Sequence, residues 1–168
     1  EELMQVLGEF YRTIGGLVRR FDATVGFLEG DGVQLFFNDP TEVPDAALRA
    51  VRLGCALREE MEAELTPQWR KRGYDLDFGA GIALGYATCG EVGFESRSDY
   101  AAIGAVTNLA SRLADEAGAG QVLIAQRLYA EVEADVEVES ARYFTLKGFR
   151  QPITAFNVVA VREPAGDV

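Results

Sequence analysis

Three sets of polar residues in this 168-residue chain stand where chemistry can be done. Gly30-Asp31-Gly32 separates two β-prone runs, Ala23–Leu28 and Val33–Phe37, and so reads as the tip of a β-hairpin, with glycine on both sides letting the backbone reverse. Two readings of Asp31 are open at this point. It is a solvated turn carboxylate, or it is a ligand for a hard divalent cation, because a carboxylate on a rigid tip leaves room for a cation and a phosphate. Asn108 and Arg112 are four residues apart, which puts them on one helical face about one turn from each other. As a pair they read either as an ordinary solvated face or as an amide and a guanidinium that orient a sugar and a phosphate, the arginine through its bidentate fork. Gly104 ends a strand just before them, and the end of a strand feeding a helix commonly presents ligand groups. Lys147, ahead of Gly148 at another strand end, offers an ammonium to a phosphate chain; taken singly it is a solvated lysine.

Composition removes several alternatives. The formal net charge is −11, which repels nucleic acid and anionic membrane surfaces and obliges any polyanionic ligand to find a local basic pocket. There is no histidine, and Cys55 and Cys89 lack a CxxC spacing, so zinc, haem and imidazole acid–base chemistry lose their usual ligands. Both thiols read as buried and free. No apolar run reaches the roughly 20 residues of a membrane span, and the first residues lack the basic start of a signal peptide, which points to a cytosolic domain without direct membrane contact. Glu1 opens inside a helical pattern, as expected of a piece of a longer protein.

Positioning these groups falls to a regular series of elements. Leu3, Leu7, Phe10, Ile14 and Leu17 alternate at spacings of four and three, an amphipathic helix with Arg19 and Arg20 favourably placed near its C-terminus. The hairpin follows, and Pro44 opens a helix running to about Leu65, with Pro67 and Gly73 marking the connection. Strict alternation over Leu76–Leu84 predicts a half-buried strand. Gly85 breaks it before a second run, Tyr86–Val92, and a polar tip, Glu95–Asp99, leads to a short strand at Tyr100–Ile103. Ala105–Ala117 reads as a helix, Val122–Ile124 as a strand, Gln126–Val132 as a small helix, and Val136–Lys147 and Ile153–Val161 as two closing strands. The order suits one α+β domain over residues 1–161 with a tail from 162 to 168, its helices packed on one face of an antiparallel or mixed sheet.

Taken together, Gly30-Asp31-Gly32 in a hairpin, Gly81-Ile82-Ala83 through Gly90-Glu91-Val92-Gly93, and Tyr100-Ala101-Ala102-Ile103-Gly104-Ala105-Val106-Thr107-Asn108-Leu109-Ala110-Ser111-Arg112-Leu113 resemble the class III nucleotide cyclases. Gly120-Gln121-Val122-Leu123-Ile124 and Leu146-Lys147-Gly148 extend the resemblance over nearly the whole chain. It implies a ferredoxin-like core similar to a polymerase palm, working as a head-to-tail homodimer with its active sites between the subunits. It also implies two divalent cations, Mg2+ or Mn2+, and a purine nucleoside triphosphate, ATP or GTP, that loses pyrophosphate as its ribose 3′-hydroxyl attacks the α-phosphate. Asp31 matches the second of the family's two metal-binding aspartates, Asn108 the asparagine that orients the ribose, Arg112 the arginine that stabilises charge at the reacting phosphate, and Lys147 the lysine that contacts the triphosphate from the partner chain.

Two departures accompany the match. The family's first metal aspartate lies on a strand ahead of the first helix, so that strand and that ligand are expected upstream of Glu1. The positions that read the adenine edge in many ATP-using members are Phe27 and Ala101 here, and neither side chain makes the hydrogen bonds; Phe27 can pack on a purine, and Asp99, on the same strand face as Ala101, is a weak substitute. Hence the purine-reading positions decide nothing, and an adenylate cyclase is favoured over a guanylate cyclase mainly as the commoner bacterial-looking outcome of the family this chain resembles. A cyclase-like regulatory module that binds nucleotide or a partner domain without turnover is the competing reading. A nucleic-acid polymerase is disfavoured by the Asn108–Arg112 block and by the negative charge.

Overall fold

The computed structural model describes residues 1–163. Helix α1 (Glu2–Phe21) leads into the hairpin β1 (Thr24–Glu29) and β2 (Gly32–Phe36), and α2 (Ala46–Glu60) continues through a π-helical turn at Met61–Leu65 into α3 (Thr66–Lys71). Then come β3 (Ala80–Ile82), β4 (Thr88–Phe94), β5 (Arg97–Ile103), α4 (Ala105–Glu116), β6 (Val122–Ala125), α5 (Gln126–Val132), β7 (Val136–Val138), β8 (Arg142–Phe144) and β9 (Ile153–Val161). The main sheet runs β3-β6-β9-β7, with β8 also paired to β9. Only β3 and β6 are parallel, Ala80 standing opposite Val122 and Ile82 opposite Ile124. The hairpin β1–β2 and the arm β4–β5 are separate two-stranded sheets, and among the described residues β3 is paired along one edge only.

Alternation along β6 explains the layers. Val122 and Ile124 face a core shared with Val51 and Cys55 of α2 and Leu128 and Val132 of α5. Leu123 and Ala125 face the other way, into a core with Leu113 of α4, Phe144, Leu146 and Ala155. Helices therefore cover both faces of the sheet, not one, because a strand apolar on both sides must bury both. A third core lies among α1, α2, α3 and the hairpin, built from Val6, Ile14, Leu17, Leu57, Met61 and Trp69, with Val33, Leu35 and Phe37 packed against it.

Other expectations are corrected by pairing that is not local. The helix expected to stop near Leu65 runs on to Lys71: Pro67 falls in the first turn of α3, where its missing N–H costs nothing, and the wider π-turn absorbs the change of pitch. Of the strand expected over 76–84, only Ala80–Ile82 pairs regularly. Leu76 is exposed. The tip expected at Glu95–Asp99 is narrower, since β4 and β5 pair as far as Phe94 opposite Arg97. The single strand expected over Val136–Lys147 is two short ones, both antiparallel to β9. Leu3 is exposed and Val6 takes its place in the core. Cys55 is buried and Cys89 half-buried, both free. Of the expected tail, Arg162 is anchored by its N–H to the Asp135 carbonyl at 2.7 Å, and residues 164–168 lie outside the described ones.

Candidate functional site

The position of Asn108 and Arg112 follows from a glycine in β3. A Cβ on Gly81 would stand 2.2 Å from the Ala110 carbonyl oxygen and 2.4 Å from the Ala114 nitrogen, so α4 lies with its backbone directly on the strand. Leu113 is fully buried on that side. Asn108 and Arg112 consequently point outward, Asn108 exposed and Arg112 with its side chain 41 % exposed. Among the described residues Arg112 makes one ion pair, to Asp115 at 3.6 Å. A solvated pair of that length holds the guanidinium only weakly. The turn bearing Lys147 sits beside the same helix, because Leu146 is buried in the core that holds Leu109 and Leu113. Lys147 itself is exposed, with Gly148 at φ 90° completing the turn.

Asp31 stands at the exposed tip of the hairpin, after Gly30 at φ 60°. No atom lies within 4 Å of where a Cβ on Gly30 would be, so the space about the tip is open. The tip is tethered from outside the hairpin: Tyr11 of α1 donates its hydroxyl to the Gly30 carbonyl at 2.5 Å. At the other end of the hairpin Tyr100 of β5 donates to the Asp39 carboxylate and stacks on Phe36 with ring centroids 5.9 Å apart. Thr24 of β1 donates to the Asp39 carbonyl at 2.7 Å. The Asp39 carboxylate, first by the hydrogen bond it accepts, pushes the Tyr100 phenol up to about 12.

Phe27, 40 % exposed, lies where the register of β1 against β2 slips between Val25 and Leu28. Ala101, half-buried, is on β5 opposite Gly90, and β5 packs on β1, so these two positions belong to neighbouring elements. Asp99 is exposed on β5 opposite Val92. The six candidates thus fall into three places in one chain: the α4 face with the Lys147 turn, the Phe27–Ala101 neighbourhood, and the Asp31 tip. An open cleft of about 680 Å³ lined by residues 22–25 and 40–44 holds none of them.

As a cation ligand Asp31 offers a hard carboxylate with no ion-pair partner among the described residues. It fits one coordination position. No group of three or more His, Cys, Asp or Glu residues able to hold a metal occurs among the described residues, so the remaining ligands are not gathered around Asp31 there. Tyr11, Tyr100 and Asp39 were not singled out in the sequence. Tyr11 could have been suspected from its place at the margin of the α1 apolar stripe, four residues after Leu7, but its partner 19 residues away follows no period.

The adenylate and guanylate cyclase catalytic domain model matches residues 1–160. Among solved structures, the adenylyl cyclase CyaB from P. aeruginosa is 32% identical with a TM-score of 0.89, covering 99% of this chain and 86% of that one. The guanylyl cyclase Cya2 is 29% identical with a TM-score of 0.90, covering 99% and 84%. Adenylate cyclase 1 of Rhizobium meliloti is 32% identical over 113 residues, 67% of this chain and 17% of that protein. The chain thus spans a small part of that curated relative's length. With the two-faced sheet, the hairpin and the α4 block all in place, the chain belongs to the adenylate and guanylate cyclase catalytic domain family.

Proposed function

We propose that this domain converts a purine nucleoside triphosphate, ATP in preference to GTP, into the 3′,5′-cyclic monophosphate and pyrophosphate, and that it does so as a head-to-tail homodimer. The observation that carries the reading is the outward pair Asn108 and Arg112, one turn apart on α4 with the Lys147 turn beside it, while Asp31 stands at the tip of the β1–β2 hairpin, a different element of the same chain. Two copies arranged head to tail bring the tip of one to the α4 face of the other. Preference for ATP is supported by the likeness to CyaB and to the Rhizobium meliloti enzyme.

In this reading the ribose 3′-hydroxyl attacks the α-phosphorus, the bond to pyrophosphate breaks, and the hydroxyl proton leaves to solvent. Asn108 orients the ribose, Arg112 stabilises the charge that grows on the α-phosphate, and Lys147 holds the triphosphate chain. Phe27 packs on the base, and Ala101 leaves its edge unread. Two divalent cations, Mg2+ or Mn2+, held in part by Asp31, would make the attacking hydroxyl more acidic and offset the phosphate charge.

The test is a turnover assay of the full parent chain with ATP and with GTP. Cyclic product and pyrophosphate are expected, and Asp31→Ala and Arg112→Ala should each lower kcat by about 10²-fold or more, the scale of a lost charge-stabilising contact, with the fold retained. A second reading, a module that binds nucleotide without turnover, is favoured by the apolar Phe27 and Ala101. Saturable ATP binding with Ca2+ and no product with Mn2+ would select it.

A further inference from the structure

The hairpin that carries Asp31 is short, and a two-stranded ribbon is marginal in water by itself. Its apolar side is covered through Val33, Leu35 and Phe37, and its ladder closes at Glu29 opposite Gly32, so only the Gly30-Asp31 turn lies beyond both. Polar contacts hold the hairpin at each end. At the tip, Tyr11 of α1 donates to the carbonyl of Gly30, the residue before Asp31. At the base, the loop after β2 is held by Tyr100 to the Asp39 carboxylate and by Thr24 to the Asp39 carbonyl, and Asn38 closes the same loop by accepting from the Val43 N–H at 3.0 Å. Gly30 is at φ 60°, and glycine enters positive φ about as readily as negative, so the Gly30–Asp31 peptide is less constrained by its own backbone than other residues would be and gains from having its carbonyl held.

We propose that Tyr11 is a positioning residue for Asp31: by holding the Gly30 carbonyl against α1, with the Asp39 loop clamped at the opposite end by Tyr100 and Thr24, it sets where the Asp31 carboxylate stands. This inference rests on the reading of Asp31 as a cation ligand in the proposed cyclase site. It adds that the carboxylate's place is dictated by α1, an element that carries no candidate site residue. A displacement of α1 along its axis is then felt at the tip through one hydrogen bond.

The test compares the full parent chain with its Tyr11→Phe variant, which keeps the ring and removes only the hydroxyl. Amide hydrogen exchange at Gly30–Val33 should speed up about three- to tenfold, the range one such bond carries, while exchange in β6 is unchanged. Mn2+ binding followed by electron paramagnetic resonance should weaken by a similar factor. If cyclic product is made, the Mn2+ concentration for half-maximal rate should rise with it and the KM for nucleotide should not, whereas a merely structural role lowers the melting temperature and leaves metal dependence alone. Unchanged tip exchange overturns the proposal, and so does faster exchange with unaltered Mn2+ affinity. If the parent chain makes no cyclic product, the functional reading falls while exchange and Mn2+ binding still decide the clamp. If it binds no Mn2+, both the ligand reading and this proposal fall.

Discussion

Among the described residues the Arg112 guanidinium has one ion pair, at 3.6 Å to Asp115 on its own helix, and exposed helical pairs of this kind are worth about 0.2–0.5 kcal/mol. A phosphate that takes the fork has little to displace. Tyr100 is the opposite case, a phenol committed to the Asp39 carboxylate. Its ionisation, pushed up from 10.0 to about 12, has a definite sign: the folded state favours the neutral phenol. That contribution to stability is fully present below the unfolded value and is lost as pH rises through about 12. Among six tyrosines, Tyr100 should therefore be the last to ionise in an ultraviolet titration, identified by its loss in Tyr100→Phe and moved back towards 10.0 by Asp39→Ala. A Tyr100 that titrates at the ordinary value would contradict the geometry. The candidates Asp31, Asn108, Arg112 and Lys147 could be picked out of the sequence because short spacing and flanking glycines mark them. Tyr11 with Gly30 and Tyr100 with Asp39 were not, since each bond joins residues that only the tertiary fold brings together.

The placement of α4 depends on the absence of a side chain at Gly81. A methyl there meets backbone atoms of α4 at 2.2 and 2.4 Å, and backbone cannot rotate out of the way as a side chain does. Gly81→Ala should lower stability by about 1–3 kcal/mol and push Asn108 and Arg112 away from the sheet, reducing turnover by more than the loss of folded protein explains. Denaturant melts alongside active-fraction assays check this; unchanged stability would mean that α4 sits farther from β3 than the structure has it. The helices were readable from periodicity, and so was the hairpin from its glycines. What periodicity could not carry was strand pairing: Leu76 to Leu84 alternates like a strand along its length, yet only three residues find a partner in β6. The continuation of α2 through Pro67 was hidden for a related reason, because a π-turn is a compromise made for packing, here the burial of Met61, Leu65 and Trp69.

For the whole molecule, one chain carries the parts of the proposed site on different elements: Asp31 at the hairpin tip, Asn108 and Arg112 on α4, and Lys147 after β8. A surface of net charge −11 admits a triphosphate only where cations and basic groups are concentrated. In the proposed dimer the Lys147 turn and Arg112 would supply the basic groups from one copy, and Asp31 with its cations would answer them from the other. The family match and the likeness to CyaB were foreseeable from the Asn108–Arg112 block; the helical covering of both sheet faces was not, although the apolar run Val122–Ala125 already required it.

The head-to-tail arrangement is tested most directly by mixing. Full chains carrying Asp31→Ala and full chains carrying Arg112→Ala should each be inactive, and an equimolar mixture should recover about one quarter of wild-type turnover, since random pairing makes half the dimers mixed and each mixed dimer keeps one of its two sites. A mixture as inactive as its components, with mixed dimers shown to form, would contradict a site shared between two copies.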